Sequence, residues 1–128
     1  ISACTDVTGF GLLGHLAEMV CGSSCSARIN SEDVPVFPES KKFADMGLIP
    51  AGAYKNREFR EHMVTFAQTV PRKMQDMLFD PQTSGGLLIS VTDTHSDALI
   101  LALKNKGVSN AAKIGFVVQD PNEKIQVN

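Results

Sequence analysis

The sequence predicts a mixed fold of helices and strands, of the α/β or α+β class, within one domain. Segments with a helical spacing of apolar residues interleave with segments in which apolar and polar residues alternate. The length of 128 residues lies within the usual range for one compact core. Hydrophobic residues make up 43% of the chain and charged residues 20%, which is typical of globular proteins and argues against disorder.

The first half of the chain begins with a clear amphipathic segment. Its spacing predicts a helix from about Thr8 to Val20, which Gly22 terminates. The alternation over residues 25–30 predicts a short, half-buried strand. After two prolines, residues 39–46 predict a short helix that ends at Gly47.

The middle of the chain is rich in residues that break regular structure. Residues 49–56 (IPAGAYKN) predict an ordered loop, because Pro, Gly and Asn follow one another closely. Residues 57–68 predict a weakly helical segment, and Pro71 suits the first position of the next helix. Residues 80–86 (DPQTSGG) predict a loop.

The last third predicts a strand, a helix and two further strands. Residues 87–91 suit a buried strand, and residues 93–106 suit a helix that is capped by Thr92 or Asp93. The inward face of this helix is predicted to carry Leu99, Ala102 and Leu103. Alternation over residues 112–118 predicts another strand, with which residues 125–127 are expected to pair.

The charge and cysteine content exclude several classes of protein. Twelve basic and fourteen acidic residues give a formal charge of −2, so no nucleic-acid partner is expected. No apolar run approaches the roughly 20 residues that span a bilayer, so no membrane contact is expected. Three cysteines favour reduced thiols in the cytoplasm over a disulfide framework. Because the chain starts at Ile1 and a motif follows at once, we expect a piece of a longer protein.

The segment from Thr5 to His15 (TDVTGFGLLGH) carries the strongest chemical signal, because it places three glycines within six residues. An interior glycine costs a helix about 1 kcal/mol relative to alanine, which indicates a need for absent side chains. Free N–H groups at a helix N-terminus bind phosphate, and Thr8, Gly9 and Gly11 are expected to lie beside one. Asp6 precedes this turn and could hold a Mg²⁺ ion that bridges phosphate oxygens.

Two other interpretations of these glycines remain open. They could merely permit tight packing of the helix, with Asp6 as a helix cap. They also match G-x-G-x-x-G, and Glu32 or Asp33 lies near the distance expected for a ribose-binding acid in a dinucleotide fold. Against the dinucleotide fold, residues 1–8 hold too little apolar sequence for the strand that must precede the turn, and prolines interrupt the region that follows Asp33.

The loop of residues 80–86 is a second candidate. Its hydroxyls and paired glycines could line a polar or anionic ligand, and Thr83, Ser84, Gly85 and Gly86 are expected to face a nucleotide. An ordinary connection whose glycines supply positive φ angles is equally compatible with this pattern.

The remaining polar residues give weaker signals. His15 shares a predicted helix face with Glu18 and is more typical of a structural hydrogen bond than of a base or ligand. Cys21 and Cys25 are four residues apart, but no second pair completes a zinc site. Cys4 precedes Asp6 and is best explained as a small buried residue.

Three segments together resemble the selenophosphate synthetase family (selenide, water dikinases). They are ACTDVTGFGLLGH at residues 3–15, DPQTSGGLL at residues 80–88, and IPAGAYKN at residues 49–56, similar to that family's Pro-Gly-Gly/Ala…Asn segment. The two main motifs are long and ungapped, so the match is specific. It covers nearly the whole chain but only the C-terminal half of a family protein.

This resemblance implies a fold and a reaction. The fold would be that of the C-terminal domain of aminoimidazole ribonucleotide synthetase-like proteins, a mixed sheet packed with helices, which binds ATP against an N-terminal domain. The reaction would convert ATP, selenide and water into selenophosphate, AMP and phosphate, with Mg²⁺ as cofactor and the full-length protein as a homodimer. The expected partners are therefore the N-terminal domain and selenide.

The resemblance also distributes the active-site residues. Family members carry the reactive cysteine or selenocysteine, a lysine and most metal-binding aspartates in the N-terminal half, so no catalytic residue is expected here. Cys4, Cys21 and Cys25 do not match the reactive position. One metal-ligand aspartate maps onto Asp6. The alternatives are another ATP-dependent synthetase of the same superfamily and a binding module without catalysis.

Overall fold

The computed structural model describes residues 1–128 as six β-strands, five α-helices and two short 3₁₀ turns, at Ser31–Asp33 and Glu61–Met63. The longest helix has 13 residues, and no helix combines the length and apolarity needed to cross a membrane. In chain order the helices and strands are β1 (Ala3–Asp6), α1 (Gly11–Val20), β2 (Cys25–Ile29), α2 (Pro38–Asp45), α3 (Ala51–Arg60), β3 (Val64–Phe66), α4 (Arg72–Met77), β4 (Leu87–Ser90), α5 (Asp93–Asn105), β5 (Gly115–Gln119) and β6 (Ile125–Val127).

The strands form two separate sheets. A four-stranded mixed sheet has the order β3-β6-β2-β5, in which β6 is parallel to both β3 and β2, and β5 is antiparallel to β2. A two-stranded antiparallel ribbon joins β1 to β4. The prediction of a mixed sheet packed with helices is therefore confirmed.

The hydrophobic core lies on one face of the four-stranded sheet. Along β2, Ala27 and Ile29 are buried while Arg28 between them is exposed, as the two-residue period of a strand requires. Helix α1 and the residues around α4 cover this face. The buried apolar residues of the core are Leu13, Leu16, Ala17, Val20, Ala27, Ile29, Met63, Val70, Leu78, Phe79, Ile125 and Val127.

The middle of the chain departs from the prediction. Residues 49–56 were expected to form a loop, but α3 begins at Ala51 and runs to Arg60. Pro50 precedes this helix with extended backbone, so its ring ends the loop and leaves the helix intact. The predicted helical segment over residues 57–68 is also wrong beyond Arg60, because residues 64–66 pair with β6.

Other predicted boundaries need smaller corrections. Helix α1 begins at Gly11 rather than Thr8, because residues 8–10 form a turn in which the Gly11 N–H donates to the Thr8 carbonyl oxygen at 3.0 Å. Pro71 caps α4 instead of occupying its first turn. Strand β6 pairs with β2 and β3, and not with β5 as expected.

Strand β4 and helix α5 exist as predicted but are less buried than expected. Leu87 is 67% exposed, because the two-stranded ribbon has no covering layer at that position. On α5, Leu99 and Leu103 are half-buried and Ala102 is exposed, so the predicted inward face is only partly covered. Ser96 is the one buried residue of that helix.

A carboxylate joins the turn after α1 to the turn before β6. Glu123 accepts hydrogen bonds from the backbone N–H groups of Gly22 at 2.9 Å and Ser24 at 2.8 Å. These two bonds hold the pKa of the Glu123 carboxyl below its ordinary value of 4.5. The bonds stabilise the ionised form, so their contribution to stability is present above the unfolded pKa and is lost as the pH falls through the folded one.

Replacing Glu123 with glutamine is expected to destabilise the chain at neutral pH only. The amide nitrogen cannot accept, so one of the two N–H groups loses its acceptor. Urea unfolding of the 128-residue chain should show a lower midpoint at pH 7 and a difference that disappears at acid pH. Glu58→Gln, an exposed change with no hydrogen bond to lose, is the matched control. An equal deficit at both pH values would contradict this prediction.

Candidate functional site

The two glycine-containing segments lie side by side in the fold. Strand β1 pairs with β4, so that Asp6 is opposite Leu87. Beyond this pair, the Val7 N–H donates to the Gly86 carbonyl oxygen at 2.9 Å, and the Gln82 N–H donates to the Thr8 carbonyl oxygen at 3.0 Å. The loop of residues 80–86 therefore follows the turn that joins Asp6 to α1, and the two segments form one surface.

Two glycines permit this close approach. Gly11 has a φ angle of +70°, and a Cβ atom built on it would lie 2.6 Å from the backbone carbon of Phe79. A Cβ atom on Gly85 would lie 2.2 Å from the Val7 carbonyl oxygen. Both distances are far below van der Waals contact, so the packing interpretation accounts for Gly11. For Gly85 the interpretation of a positive φ angle is wrong, because neither Gly85 nor Gly86 has one, and close approach to Val7 is the reason for Gly85.

The other glycines divide into two kinds. A Cβ atom on Gly14 would lie 2.6 Å from the Cβ of Phe10, so this glycine also serves packing. Gly9 and Gly86 have no atom within 4 Å of a built Cβ. The open space at these two positions, one on each segment, leaves the backbone accessible to a ligand.

The N-terminus of α1 is less free than the sequence suggested. The Gly11 N–H donates to the Thr8 carbonyl oxygen, and the Leu13 N–H donates to the Leu78 carbonyl oxygen, both at 3.0 Å. Two of the four N–H groups of the first turn are thus already paired. No side chain caps this helix, because Phe10 occupies the N-cap position.

Asp6 is exposed and its carboxylate makes no hydrogen bond or ion pair within the chain. Asp6 therefore does not cap α1, and the prediction of a helix cap at this residue is wrong. No group of three or more His, Cys, Asp or Glu side chains is arranged to hold a metal ion. The chain offers one free carboxylate at this surface, which fits a Mg²⁺ ligand only in a site that other groups complete.

The loop of residues 80–86 presents polar groups of two kinds. Thr83 and Ser84 are exposed, and neither hydroxyl has a partner within the chain. Asp80 has one carboxylate oxygen, Oδ1, that is buried without a donor, while Oδ2 accepts from the Gln82 side chain at 3.1 Å. Burial raises the pKa of the Asp80 carboxyl, and the hydrogen bond from Gln82 opposes that rise.

His15 connects α1 to the turn before it. Its Nδ1 lies 3.0 Å from Oε2 of Glu18, and its Nε2 lies 3.0 Å from the Thr8 hydroxyl oxygen. The side chain is buried, and its ring contacts Phe10 at 5.6 Å between centroids. These contacts confirm that His15 makes structural hydrogen bonds. They also orient the Thr8 hydroxyl, which the sequence did not indicate.

The cysteines are free thiols, and one of them departs from the expectation. Cys4 and Cys21 are exposed and Cys25 is partly buried, so the expectation that Cys4 is buried is wrong.

The dinucleotide interpretation is wrong. A dinucleotide fold needs a parallel β-α-β unit around the glycines. Here β1 and β2 lie in different sheets, so the strands on either side of α1 form no such unit.

Comparison with known proteins assigns the fold. The family model of the AIR synthase related protein, C-terminal domain, matches residues 1–128. The chain belongs to this family. Its members are expected to differ in substrate, so the relatives within it are more informative about function.

Several curated relatives of this domain bear one name. A protein of Pelobacter propionicus is 56% identical over 127 residues, which is 99% of this chain and 36% of the relative. A protein of Treponema denticola is 45% identical over 132 residues, 100% of this chain and 37% of the relative. Both are named selenide, water dikinase. The chain spans a little over a third of the length of these relatives.

Helix α3 also contributes to this surface, which the sequence did not indicate. Helix α3 contacts both segments, since Gly52 packs against Pro81, and Asn56 donates hydrogen bonds to the Gly9 and Phe79 carbonyl oxygens. Residues 49–56 were noted for their resemblance to the family segment and were expected to be a loop. The signal that could have identified a helix was Pro50 directly before a run of helix-compatible residues.

Proposed function

We propose that this domain is the C-terminal part of an ATP-dependent selenophosphate synthetase. The observation that carries the proposal is the 56% identity to a selenide, water dikinase over 127 residues. Proteins that share only a superfamily can be much less similar than 56% identity over nearly the whole chain. The whole enzyme would convert ATP, selenide and water into selenophosphate, AMP and phosphate.

In this proposal Asp6 is one of the ligands of Mg²⁺. Its carboxylate is exposed, unpaired and next to the open backbone at Gly9 and Gly86. When bound, Mg²⁺ would neutralise charge on the phosphate oxygens during phosphoryl transfer. One carboxylate cannot repay the dehydration of this ion, so the remaining ligands would come from the N-terminal domain and from the nucleotide.

The neighbouring residues would face the nucleotide. The free hydroxyls of Thr83 and Ser84 can donate to phosphate oxygens, and the open backbone at Gly9 and Gly86 allows a phosphate to come close. Thr8 would lie in the same surface, with its hydroxyl oriented by His15. Gly11 and Gly85 would act by keeping the two segments in contact.

The proposed enzyme also needs partners that this chain does not contain. The N-terminal domain would supply the reactive cysteine or selenocysteine, the lysine and the other metal ligands, and this chain would contribute no catalytic residue. The complete protein would be a cytoplasmic homodimer that also binds selenide. Because the chain spans only 36% of the relative from Pelobacter propionicus, proteins of this kind are long enough to contain such a domain.

The test is an assay of the full-length protein with ATP, Mg²⁺ and selenide under anaerobic conditions. Phosphorus NMR should detect selenophosphate, with AMP and phosphate in equal amounts. ATP consumption with a purine or thiamine intermediate, and none with selenide, would assign a different synthetase of the superfamily. Nucleotide binding without any turnover would instead assign a binding module.

The isolated 128-residue chain is expected to fold and to have no dikinase activity. It contains a core of twelve buried apolar residues, but Asp6 supplies the single unpaired carboxylate at the candidate surface, and no group of three or more ligand side chains could hold a metal ion. Circular dichroism should show a cooperative thermal transition, while the NMR assay should show no selenophosphate. Formation of AMP and selenophosphate by this chain alone would contradict the proposed division of the active site.

A further inference from the structure

The side-chain amide of Asn56 links the first segment of the candidate site to the residue that immediately precedes the loop of residues 80–86. Its Nδ2 donates to the Gly9 carbonyl oxygen at 2.8 Å and to the Phe79 carbonyl oxygen at 3.0 Å. Since both acceptors are carbonyl oxygens, the nitrogen of the amide must face them, and the orientation of the group is determined. One side chain therefore satisfies an acceptor in the first segment and the carbonyl group that immediately precedes the second.

The two carbonyl groups differ in how firmly the fold holds them. Phe79 is completely buried in the core, so its backbone is anchored immediately before the loop that begins at Asp80. Gly9 is exposed, in the turn that joins Asp6 to α1, and it has no side chain to pack. The amide thus ties an exposed, weakly packed turn to an anchored point of the core.

Helix α3 holds Asn56 in place for this contact. The next residue, Arg57, donates to Asp76 at 2.9 Å and to Gln75 at 2.8 Å, both on α4. Asp76 is buried, and removing one partner of a buried ion pair is costly, so this attachment is firm. At the other end of the helix, Gly52 packs against Pro81.

We propose that Asn56 is a positioning residue, which sets the spacing between the turn of Asp6–Gly9 and the loop of residues 80–86. The proposal rests on the function proposed above and adds a residue whose amide N–H groups are bound by the chain's own carbonyl oxygens. Catalysis of phosphoryl transfer depends mainly on positioning, and small displacements of the binding groups are costly. Loss of the amide should therefore impair the reaction more than it impairs folding.

The experiment compares two variants of Asn56 with two controls in the full-length protein. Asn56→Ala removes the amide, and Asn56→Gln retains its two N–H donors on a longer side chain. Asn105→Ala is the matched control, because Asn105 is an exposed helical asparagine whose side chain makes no hydrogen bond. Ile125→Val, a core change on β6, controls for a general loss of stability.

The first readout is steady-state kinetics with ATP and selenide. Asn56→Ala should lower kcat/KM for ATP by roughly tenfold or more, which corresponds to a small misplacement of binding groups. Asn56→Gln should recover part of this loss. Asn105→Ala and Ile125→Val should remain close to the unaltered protein in kcat/KM.

The second readout is amide hydrogen exchange, which does not depend on activity. In Asn56→Ala, exchange should become faster in residues 5–12 and 79–87 and stay unchanged in β2, because the amide restrains the segments locally. In Ile125→Val, amide exchange in β2 should become faster by at least as much as exchange in these segments. The pattern of exchange thus separates a local restraint from a contribution to overall stability.

The outcomes decide between the alternatives. Equal kinetics and equal exchange in Asn56→Ala and Asn105→Ala would overturn the proposal. A loss of activity in Asn56→Ala that Ile125→Val reproduces, with exchange faster everywhere, would overturn it in favour of a purely structural role. If Asn56→Ala does not fold, Asn56→Gln is judged by the same two readouts. If the unaltered protein makes no selenophosphate, the proposed function fails, and the exchange pattern still decides whether Asn56 restrains the two segments.

Discussion

Replacing Asp6 with asparagine in the full-length protein is expected to lower turnover of ATP and selenide by orders of magnitude. The change removes the free carboxylate that is proposed to bind Mg²⁺ and leaves the shape of the side chain unchanged. The free energy of unfolding should hardly change, because the exposed carboxylate makes no hydrogen bond or ion pair within the chain. Activity assays and urea unfolding, performed on the same preparation, measure the two effects.

Asp97→Asn serves as the control for Asp6→Asn. Asp97 is an exposed aspartate on α5 without a hydrogen bond, so this variant makes the same change in net charge at a different place. It should retain normal turnover. If Asp6→Asn retained normal turnover and unfolded more easily, Asp6 would be a structural residue and the assignment to Mg²⁺ would be wrong.

Gly11→Ala is expected to be strongly destabilising, because its methyl group meets both a left-handed backbone and a close neighbour. A left-handed backbone costs a residue with a Cβ about 1–2 kcal/mol. The Cβ at 2.6 Å from the Phe79 backbone adds overpacking, which costs about 1–3 kcal/mol. Urea unfolding of the 128-residue chain should therefore show a loss of roughly 2–5 kcal/mol in the free energy of unfolding.

Gly22→Ala separates the two contributions. Gly22 has a φ angle of +76°, close to the +70° of Gly11, but no atom lies within 4 Å of a built Cβ. This control should lose only the backbone contribution of about 1–2 kcal/mol. Equal losses in the two variants would show that the contact between Gly11 and Phe79 is looser than the structure indicates.

The parts of the fold that were predictable are those with a strong local pattern. The apolar stripe of α1 and the alternation in β2 each identify an element, because periodicity reports which side of the backbone faces the core. Helix α3 lacks such a stripe, and only Ala53 is buried on it. Its stability comes from contacts with Pro81 and Asp76, which are distant in sequence and leave no local pattern.

Strand neighbours were not predictable for a related reason. Alternation over residues 125–127 identifies a strand, but backbone hydrogen bonds carry no sequence label that selects β2 and β3 over β5. The candidate site shows the same limit. Both glycine-containing segments were identified from composition, whereas the reason for Gly85 is the Val7 carbonyl oxygen, which lies across the ribbon.

The position of β6 in the sheet has a consequence for biosynthesis. This strand lies between β3 and β2, and it is the last of the described strands to be translated. While the ribosome is still adding residues 120–127, β3 and β2 have no strand between them, and the face that buries Ile29 is incomplete. The nascent chain must therefore leave this face of the sheet unassembled until residues 125–127 have been made, and its apolar side chains remain accessible to chaperones during that interval.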